Sequence, residues 1–342
     1  MRPQVFKTRI TELLGIPHPI LCGGLGPGVS DARYVAAVVN AGGMGFIMAL
    51  GWNDPDEFRA ELRRCRDLTG GKPFGVNLYI SRQAGGLERA RQQIRIICEE
   101  RVACVETAGA SPQEVIPMLR DANIKIIHKV PAVKYAFTAE RLGVDAVIIV
   151  GAECGGHPGI YQIGSMVQAA HGPGAIGIPV VIGGGIGAGR QIAATLAMGA
   201  DGVVLGSRML VAEEMWIHSK YKEMVVAADG SESVVVKKAI RDHHRVYNND
   251  SARAVVELDD RKETNFEHYR PHVMGALARE AYRTGDPSKG MLDFGPAVVF
   301  ADRIEPVESI FDRLIDDASA ALARLQRLTV PPELPRPTAA AS

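Results

Sequence analysis

Eight short apolar runs, each followed by a helix-like segment, constrain the fold of this chain more than any other feature. Segments that follow the runs are rich in Ala, Arg, Glu and Leu. Such alternation is typical of an α/β protein, with parallel strands joined by right-handed crossovers. Eight units predict a closed (β/α)8 barrel, or TIM barrel, better than an open sheet. The runs are residues 20–23, 44–50, 74–80, 102–107, 125–130, 146–150, 180–183 and 203–206.

The alternation stops after residue 210, and the rest of the chain divides into three parts. Residues 213–289 carry more charge, as in ELDDRKE (257–263), and we interpret them as a mostly helical insertion after strand 8. This insertion would form a lid and substrate domain over the barrel mouth. An amphipathic segment, 306–328, would supply the eighth barrel helix. We therefore predict a barrel over 1–212 and 290–328, and a disordered Pro- and Ala-rich tail over 329–342.

Charge and composition exclude several classes of function. The 342 residues include 39 basic and 39 acidic side chains, which argues against nucleic acid or an anionic membrane as the main partner. The N-terminal segment lacks the apolar core of a signal peptide, and no apolar run approaches the ~20 residues that span a bilayer. Five cysteines without a CxxC pair predict reduced thiols, so we expect a cytoplasmic protein.

The motif GAECGGHPG (151–159) follows the predicted sixth strand directly. Its glycines, Gly155 and Gly156 among them, let the backbone approach a flat ligand closely. His157 can titrate near neutral pH, which suits a general base or a donor to developing negative charge. The alternative is a polar loop residue that caps the backbone. Cys154 lacks an activating histidine in the same motif and is interpreted as a packing residue.

Two further glycine turns follow the predicted seventh and eighth strands. They are GGGIGAG (183–189) and GSR (206–208), at the two positions where barrels often bind phosphate. Free backbone N–H groups at such turns form an anion site, although both could be tight turns without a ligand. Residues 183–188 also match the dinucleotide pattern GxGxxA. That pattern normally opens a βαβ unit and needs an acidic residue about 20 positions later, at the end of the second strand, whereas the next strand here ends in Gly206 and Ser207.

Other strand ends carry Gly23, Gly24, Asn77, Thr107 and Lys129. A lysine at a barrel rim can stabilise negative charge on a ring, and an asparagine can pair with the edge of a heterocycle. Each of these residues alone is more often a solvated rim residue.

Two pairs of histidines are candidate metal ligands, namely His243 with His244 and His268 with His272. No carboxylate or cysteine grouping supports either pair. We therefore predict no metal site and interpret these histidines as surface or lid residues.

Together these motifs resemble the nitronate monooxygenase family, formerly the 2-nitropropane dioxygenases, which are FMN-dependent TIM barrels. The resemblance runs from about residue 6 to residue 318 and extends to the flavin NADH:quinone reductase branch. The motifs that carry it are HPILCGG (18–24), NAGGMG (40–45), PFGVNL (73–78), IHK (127–129), GVDAV (143–147), ECGGHPG (153–159), GGGIGAGR (183–190) and GADGVVLGSR (199–208).

The resemblance implies a role for each matching residue. His157 corresponds to the active-site histidine, and Lys129 would lie near the flavin. The remaining implied FMN contacts are Gly23, Gly24 and Asn77 with the isoalloxazine and ribityl parts, and Gly184, Gly185, Gly206 and Ser207 with the phosphate.

The implied activity is oxidation of alkyl nitronates with O2 to a carbonyl compound and nitrite. Other family members reduce quinones, enones or enoyl thioesters with NAD(P)H, and a non-catalytic FMN-binding protein is a further alternative. GGLGPG (23–28) departs from the GGMQW-like segment of the quinone reductases. The flavin site is thus expected, while the small-molecule substrate, NAD(P)H as co-substrate and a homodimer stay open.

Overall fold

A computed structural model describes residues 4–26, 28–81 and 85–329. Eight parallel strands close into a barrel in chain order, and β8 pairs with β1. The predicted TIM barrel is therefore confirmed. The strands are β1 (Ile20–Cys22), β2 (Met44–Met48), β3 (Gly75–Ile80), β4 (Cys104–Gly109), β5 (Lys125–Val130), β6 (Ala146–Val150), β7 (Val180–Gly183) and β8 (Gly202–Leu205).

The barrel helices follow the strands as the alternation predicts. Asp31 and Asp54 cap the second and third helices by accepting hydrogen bonds from backbone N–H groups of the first turn, and Pro55 begins the third. The first eight helices are α1 (Arg9–Leu14), α2 (Ala32–Asn40), α3 (Pro55–Thr69), α4 (Gly86–Glu99), α5 (Ile116–Asp121), α6 (Val133–Leu142), α7 (Ser165–Ala175) and α8 (Gly189–Ala197).

The barrel interior is apolar and closed at its N-terminal end. Ile10 and Leu14 of α1 join a buried cluster with strand residues such as Phe46 and Ile148. Burial on both faces explains why these strands are apolar runs rather than alternating patterns. Because α1 covers the N-terminal end, a ligand site must lie at the opposite end, where the strands end.

The segment between β8 and the last barrel helix contains four helices and a two-stranded antiparallel sheet that the sequence did not predict. Val236 and Tyr269 belong to a small apolar core of its own. Strand β10 also reaches the barrel, where Arg245 pairs with Gly156 and Val246 pairs with Asp293. The elements are α9 (Ser219–Ala227), β9 (Ser233–Val236), β10 (His244–Tyr247), α10 (Asp250–Asp260), α11 (Phe266–Val273) and α12 (Gly275–Thr284).

The last helix, α13 (Val307–Leu328), packs against α8 and α2 and completes the ring of barrel helices. It begins one residue after the predicted segment 306–328. Of the predicted disordered tail, 329–342, residues 330–342 lie outside the described residues. Within the described ranges, no helix combines the length and apolar character needed to cross a bilayer.

Candidate active site

A cavity opens at the C-terminal ends of the barrel strands. Its lining comes from the loops after β1, β6, β7 and β8, from Lys129 on β5, and from Tyr282 and Asp293 beyond the barrel strands. Eight of the predicted site residues line it, namely Gly23, Gly24, Lys129, Gly155, Gly184, Gly185, Gly206 and Ser207. Asn77, Gly156 and His157 are not among the lining residues. The structure thus brings most of the predicted strand-end residues to one place.

A buried carboxylate organises one wall of the cavity. Glu106 on β4 is fully buried, and its Oε1 lies 2.5 Å from Nζ of Lys129. Its Oε2 accepts hydrogen bonds from Nδ2 of Asn77 at 2.6 Å and from the backbone N–H of Gly24 at 3.3 Å. The Asn77 amide is therefore hydrogen-bonded within the protein, and the Asn77 side chain packs against Gly24. Lys129 presents an ammonium that is partly neutralised by Glu106.

Sequence reasoning missed Glu106. The available signal was an acidic residue inside the apolar run 102–107, since a carboxylate is rarely buried without a partner. Its partner, Lys129, is on the neighbouring strand, which is where parallel pairing of β4 with β5 places it.

The two glycine segments 183–189 and 206–208, which we call the phosphate turns, face the cavity from β7 and β8. Gly184 and Gly185 have φ of 95° and 71°, a left-handed conformation that favours glycine. Their backbone N–H groups donate to no acceptor in the described part of the chain. Gln191 takes two N–H groups further along the turn, because its Oε1 accepts from those of Gly187 and Ala188 at 2.8 and 3.0 Å. The donors free for an anion thus precede α8.

Gly206 has open space in front of it. A Cβ atom added there would meet no atom closer than Cδ2 of Leu25, at 3.9 Å. None of the described residues fills this space, so a ligand could approach the backbone closely at Gly206. The following Arg208 is buried and donates to Glu305 at 2.9 Å, so its guanidinium serves an internal ion pair rather than the cavity.

Hydrogen bonds within the loop after β6 and to the start of α7 hold this loop in place. Glu153 Oε2 accepts from both the N–H and the hydroxyl of Ser165 at 2.9 Å, at the start of α7. The thiol of Cys154 donates to the carbonyl of Gly155 at 2.9 Å. Burial raises the pKa of Cys154 to about 11. The thiol is therefore protonated at neutral pH, which agrees with a packing role.

His157 lies beside the cavity in a group that we call the histidine cluster: His157, Lys237, Asp242, His244 and Asp293. Its Nε2 is 3.4 Å from Nζ of Lys237 and 3.6 Å from Oδ1 of Asp242. Its ring stacks on that of His244, with centroids 4.2 Å apart. Nε2 of His244 lies 2.6 Å from Oδ1 of Asp293, which lines the cavity. The cluster therefore joins the loop after β6 to the insertion.

The charges in the histidine cluster set its protonation. Desolvation by the surrounding atoms, then the charges of His244 and Lys237, lowers the pKa of His157 far below its usual value near 6.5, although half of its side chain is exposed. Burial alone raises the pKa of Asp293, but the hydrogen bond and charge of His244 outweigh it and the pKa falls. At neutral pH His157 is thus neutral and Asp293 is ionised.

The sequence predicts that His243 and His244 are surface or lid residues. His244 belongs to the insertion and is buried against the barrel loop, so it is not a surface residue. Nothing in the local sequence distinguishes it from His243, because its partner Asp293 is 49 residues away. Among the residues that the structure describes, no group of three or more His, Cys, Asp or Glu is arranged to hold a metal ion.

Comparison with known proteins establishes the family. The family model described as nitronate monooxygenase matches residues 7–317. The chain belongs to this family. A probable nitronate monooxygenase of Staphylococcus saprophyticus is 30% identical over 320 residues, covering 82% of this chain and 89% of that protein. Membership indicates an oxidoreductase and implies a flavin cofactor.

Other similar proteins carry names other than nitronate monooxygenase. A (3aS,4S,5R,7aS)-5-hydroxy-7a-methyl-1-oxo-octahydro-1H-indene-4-carboxyl-CoA dehydrogenase of Rhodococcus jostii is 35% identical over 247 residues, covering 72% of this chain and 67% of that protein. Among solved structures, FabK from Thermotoga maritima has a TM-score of 0.86 and 31% identity, over 95% of this chain and all of that one. Nitroalkane oxidase from Streptomyces ansochromogenes has a TM-score of 0.77 and 25% identity, over 93% and 100%.

Proposed function

We propose that the cavity binds FMN and that the protein is a nitronate monooxygenase, which oxidises alkyl nitronates with O2 to a carbonyl compound and nitrite. The observation that carries the proposal is the cavity itself: two phosphate turns and a rim lysine converge on space that no described side chain fills. Bound FMN would supply electron transfer between the substrate and O2. The residues of the chain bind and orient the reactants and hold protons.

The phosphate end of FMN fits the phosphate turns. Gly184 and Gly185 offer unpaired backbone N–H groups within the described residues, and Gly206 offers room for a close approach. Backbone donors at such turns favour an anion. FMN carries one terminal phosphate, which matches a single grip made by two adjacent turns.

The ring end of FMN fits the opposite wall. Gly23 and Gly24 present bare backbone, and Nζ of Lys129 lies beside Gly23, 3.2 Å from where a Cβ would be. An ammonium there favours negative charge on a nearby ring. Because Glu106 pairs with it, we expect its effect to be smaller than that of a free ammonium.

His157 would act on the substrate as a neutral imidazole. A neutral ring can accept a proton from the carbon of a nitroalkane, or donate one hydrogen bond to a nitronate oxygen. The depressed pKa argues against an imidazolium as the main attraction for the anion. Lys237, 3.4 Å from the ring, would supply positive charge instead. We further propose that residues 213–289 act as a lid, since they place His244 against His157 and Tyr282 in the cavity lining.

The proposal is tested by aerobic turnover. Purified protein mixed with propyl-2-nitronate or ethylnitronate should consume O2 and release nitrite, and the same protein mixed anaerobically with NADH should keep its flavin oxidised. Absence of nitrite release with any nitronate in such a screen would contradict the assignment.

An NAD(P)H-dependent reductase of an enone, quinone or enoyl thioester is the second candidate. The observation in its favour is the 35% identity to a carboxyl-CoA dehydrogenase, which exceeds the 30% identity to the staphylococcal nitronate monooxygenase. Rapid anaerobic bleaching of the flavin by NADH, followed by reoxidation with an enoyl-CoA or a quinone, would favour this candidate. A protein that binds FMN but turns over in neither assay would be a non-catalytic FMN-binding protein.

A further inference from the structure

His244 has no role in the function proposed above, yet it occupies a defined position. Its side chain is about 9% exposed, and its ring lies parallel to that of His157, with an interplanar angle of 18°. Asp293 contacts its Nε2 at 2.6 Å. Nδ1 of His244 is buried and has no hydrogen-bond partner among the described residues. A histidine held at one end by a carboxylate and stacked on a second histidine can influence the charge of that second ring.

Two stacked imidazoles at this distance share their protonation. Positive charge on one ring opposes positive charge on the other, so the pair takes up protons in two coupled steps. The first proton goes to the ring that has the stronger contact with an anion. Asp293 is 2.6 Å from His244, whereas the carboxylate nearest His157 belongs to Asp242, at 3.6 Å, and that carboxylate is also bound to Lys237 at 2.5 Å.

We propose that His244 is a positioning residue for His157: Asp293 anchors it, it stacks on the His157 ring, and it opposes positive charge on that ring. Four groups face His157 in this arrangement, namely Lys237, Asp242, His244 and Asp293. The kinetic consequence depends on the proposed function, in which neutral His157 acts on the substrate. The protonation of His157 does not depend on it and can be measured alone.

The test is an NMR titration of the His157 ring in the flavin-loaded protein. The chain has nine histidines, and the His157 signal is assigned by its loss in His157→Asn. Two variants are compared with the wild type: His244→Phe keeps a stacked ring that cannot be protonated, and His244→Gln keeps a donor for Asp293. In both, the midpoint of the His157 titration should rise by about one pH unit or more, because a nearby positive charge is removed.

The matched control is His243→Phe, the neighbouring histidine outside the stack. It should leave the His157 midpoint within a few tenths of a pH unit of the wild type. Midpoints unchanged in His244→Phe and His244→Gln would overturn the proposal and leave His244 as a packing residue. So would an equal shift in the His243 control. Absence of nitronate turnover with the midpoint shifts present would overturn only the proposed function, because the titration does not require a substrate.

Discussion

The phosphate turns and the histidine cluster lie at the same end of the barrel but are built differently. The phosphate turns are backbone structures at the ends of two adjacent strands, formed by residues close together in the sequence. The histidine cluster joins side chains that are far apart in the sequence, since Lys237 lies 80 positions after His157. The first depends on the barrel alone, and the second depends on how the insertion packs. A change in the insertion should therefore alter the histidine cluster and leave the phosphate turns intact.

The largest effect is expected at the phosphate turns. Gly206→Asp places a carboxylate where the FMN phosphate would lie, and repulsion at about 4 Å costs about 4 kcal/mol at an effective dielectric constant near 20. FMN affinity, measured by fluorescence titration, should fall by about 1,000-fold. The flavin-free variant should unfold at the wild-type temperature, since the site has room for a side chain.

The control for Gly206→Asp is Gly174→Asp on α7, where an added Cβ would meet no described atom within 4 Å. It should bind FMN as the wild type does. Equal FMN affinity of the two variants would show that the FMN phosphate does not bind at the phosphate turns.

The second largest effect is expected on stability, at the ion pair of Lys129 and Glu106 in the cavity wall. Lys129→Met leaves the fully buried carboxylate of Glu106 without its cation, which should lower the free energy of unfolding by about 2–4 kcal/mol. The double variant Lys129→Met/Glu106→Gln removes both charges and should recover most of that loss. Chemical denaturation checks this, and a double variant no more stable than the single one would show that the ion pair is not the cause.

The histidine cluster should affect catalysis and not cofactor binding. His157→Ala should bind FMN as the wild type does but lose at least about tenfold in kcat/KM, equal to about 1.4 kcal/mol. A loss confined to neutral nitroalkanes identifies a base, and an equal loss with nitronates identifies a hydrogen-bond donor. Loss of FMN binding together with activity would show that the histidine cluster also contributes to cofactor binding, which contradicts the separation of the two regions.

The pH dependence of kcat/KM should also differ from that of FMN affinity. A base must be neutral, and the pKa of His157 is depressed, so kcat/KM for a nitroalkane should stay high as the pH falls through 6.5 and decline only below it. FMN affinity should not follow that profile. An acid limb at or above pH 6.5 would mean that the surroundings of His157 do not depress its pKa in solution.

The smallest effect is expected from Lys237→Gln. It removes the ammonium 3.4 Å from His157 and frees Asp242, and both changes favour a protonated ring. The acid limb of kcat/KM should therefore move upward, by less than one pH unit because Asp242 is half-exposed. The matched control is Lys238→Gln, next along the chain. A downward shift would contradict the proposed contact.

The difference between local turns and contacts distant in the sequence also explains which features the sequence could predict. Strand periodicity and glycine turns are local patterns, so the barrel and the phosphate turns follow from them. Glu106 could have been found as a carboxylate in an apolar run. His244 and Asp293 could not, because their meeting depends on the packing of β10 against the loop after β6. The β9–β10 pair was also missed, since its valines lie in a charged segment interpreted as helical.

The identity of the bound cofactor tests the central claim most directly. The purified protein is denatured, and the released flavin is identified by chromatography and quantified against the polypeptide. The cavity and its phosphate turns predict one FMN for each chain, either as purified or after reconstitution. Release of FAD, or a colourless protein that cannot be reconstituted with FMN, would contradict the assignment of this cavity.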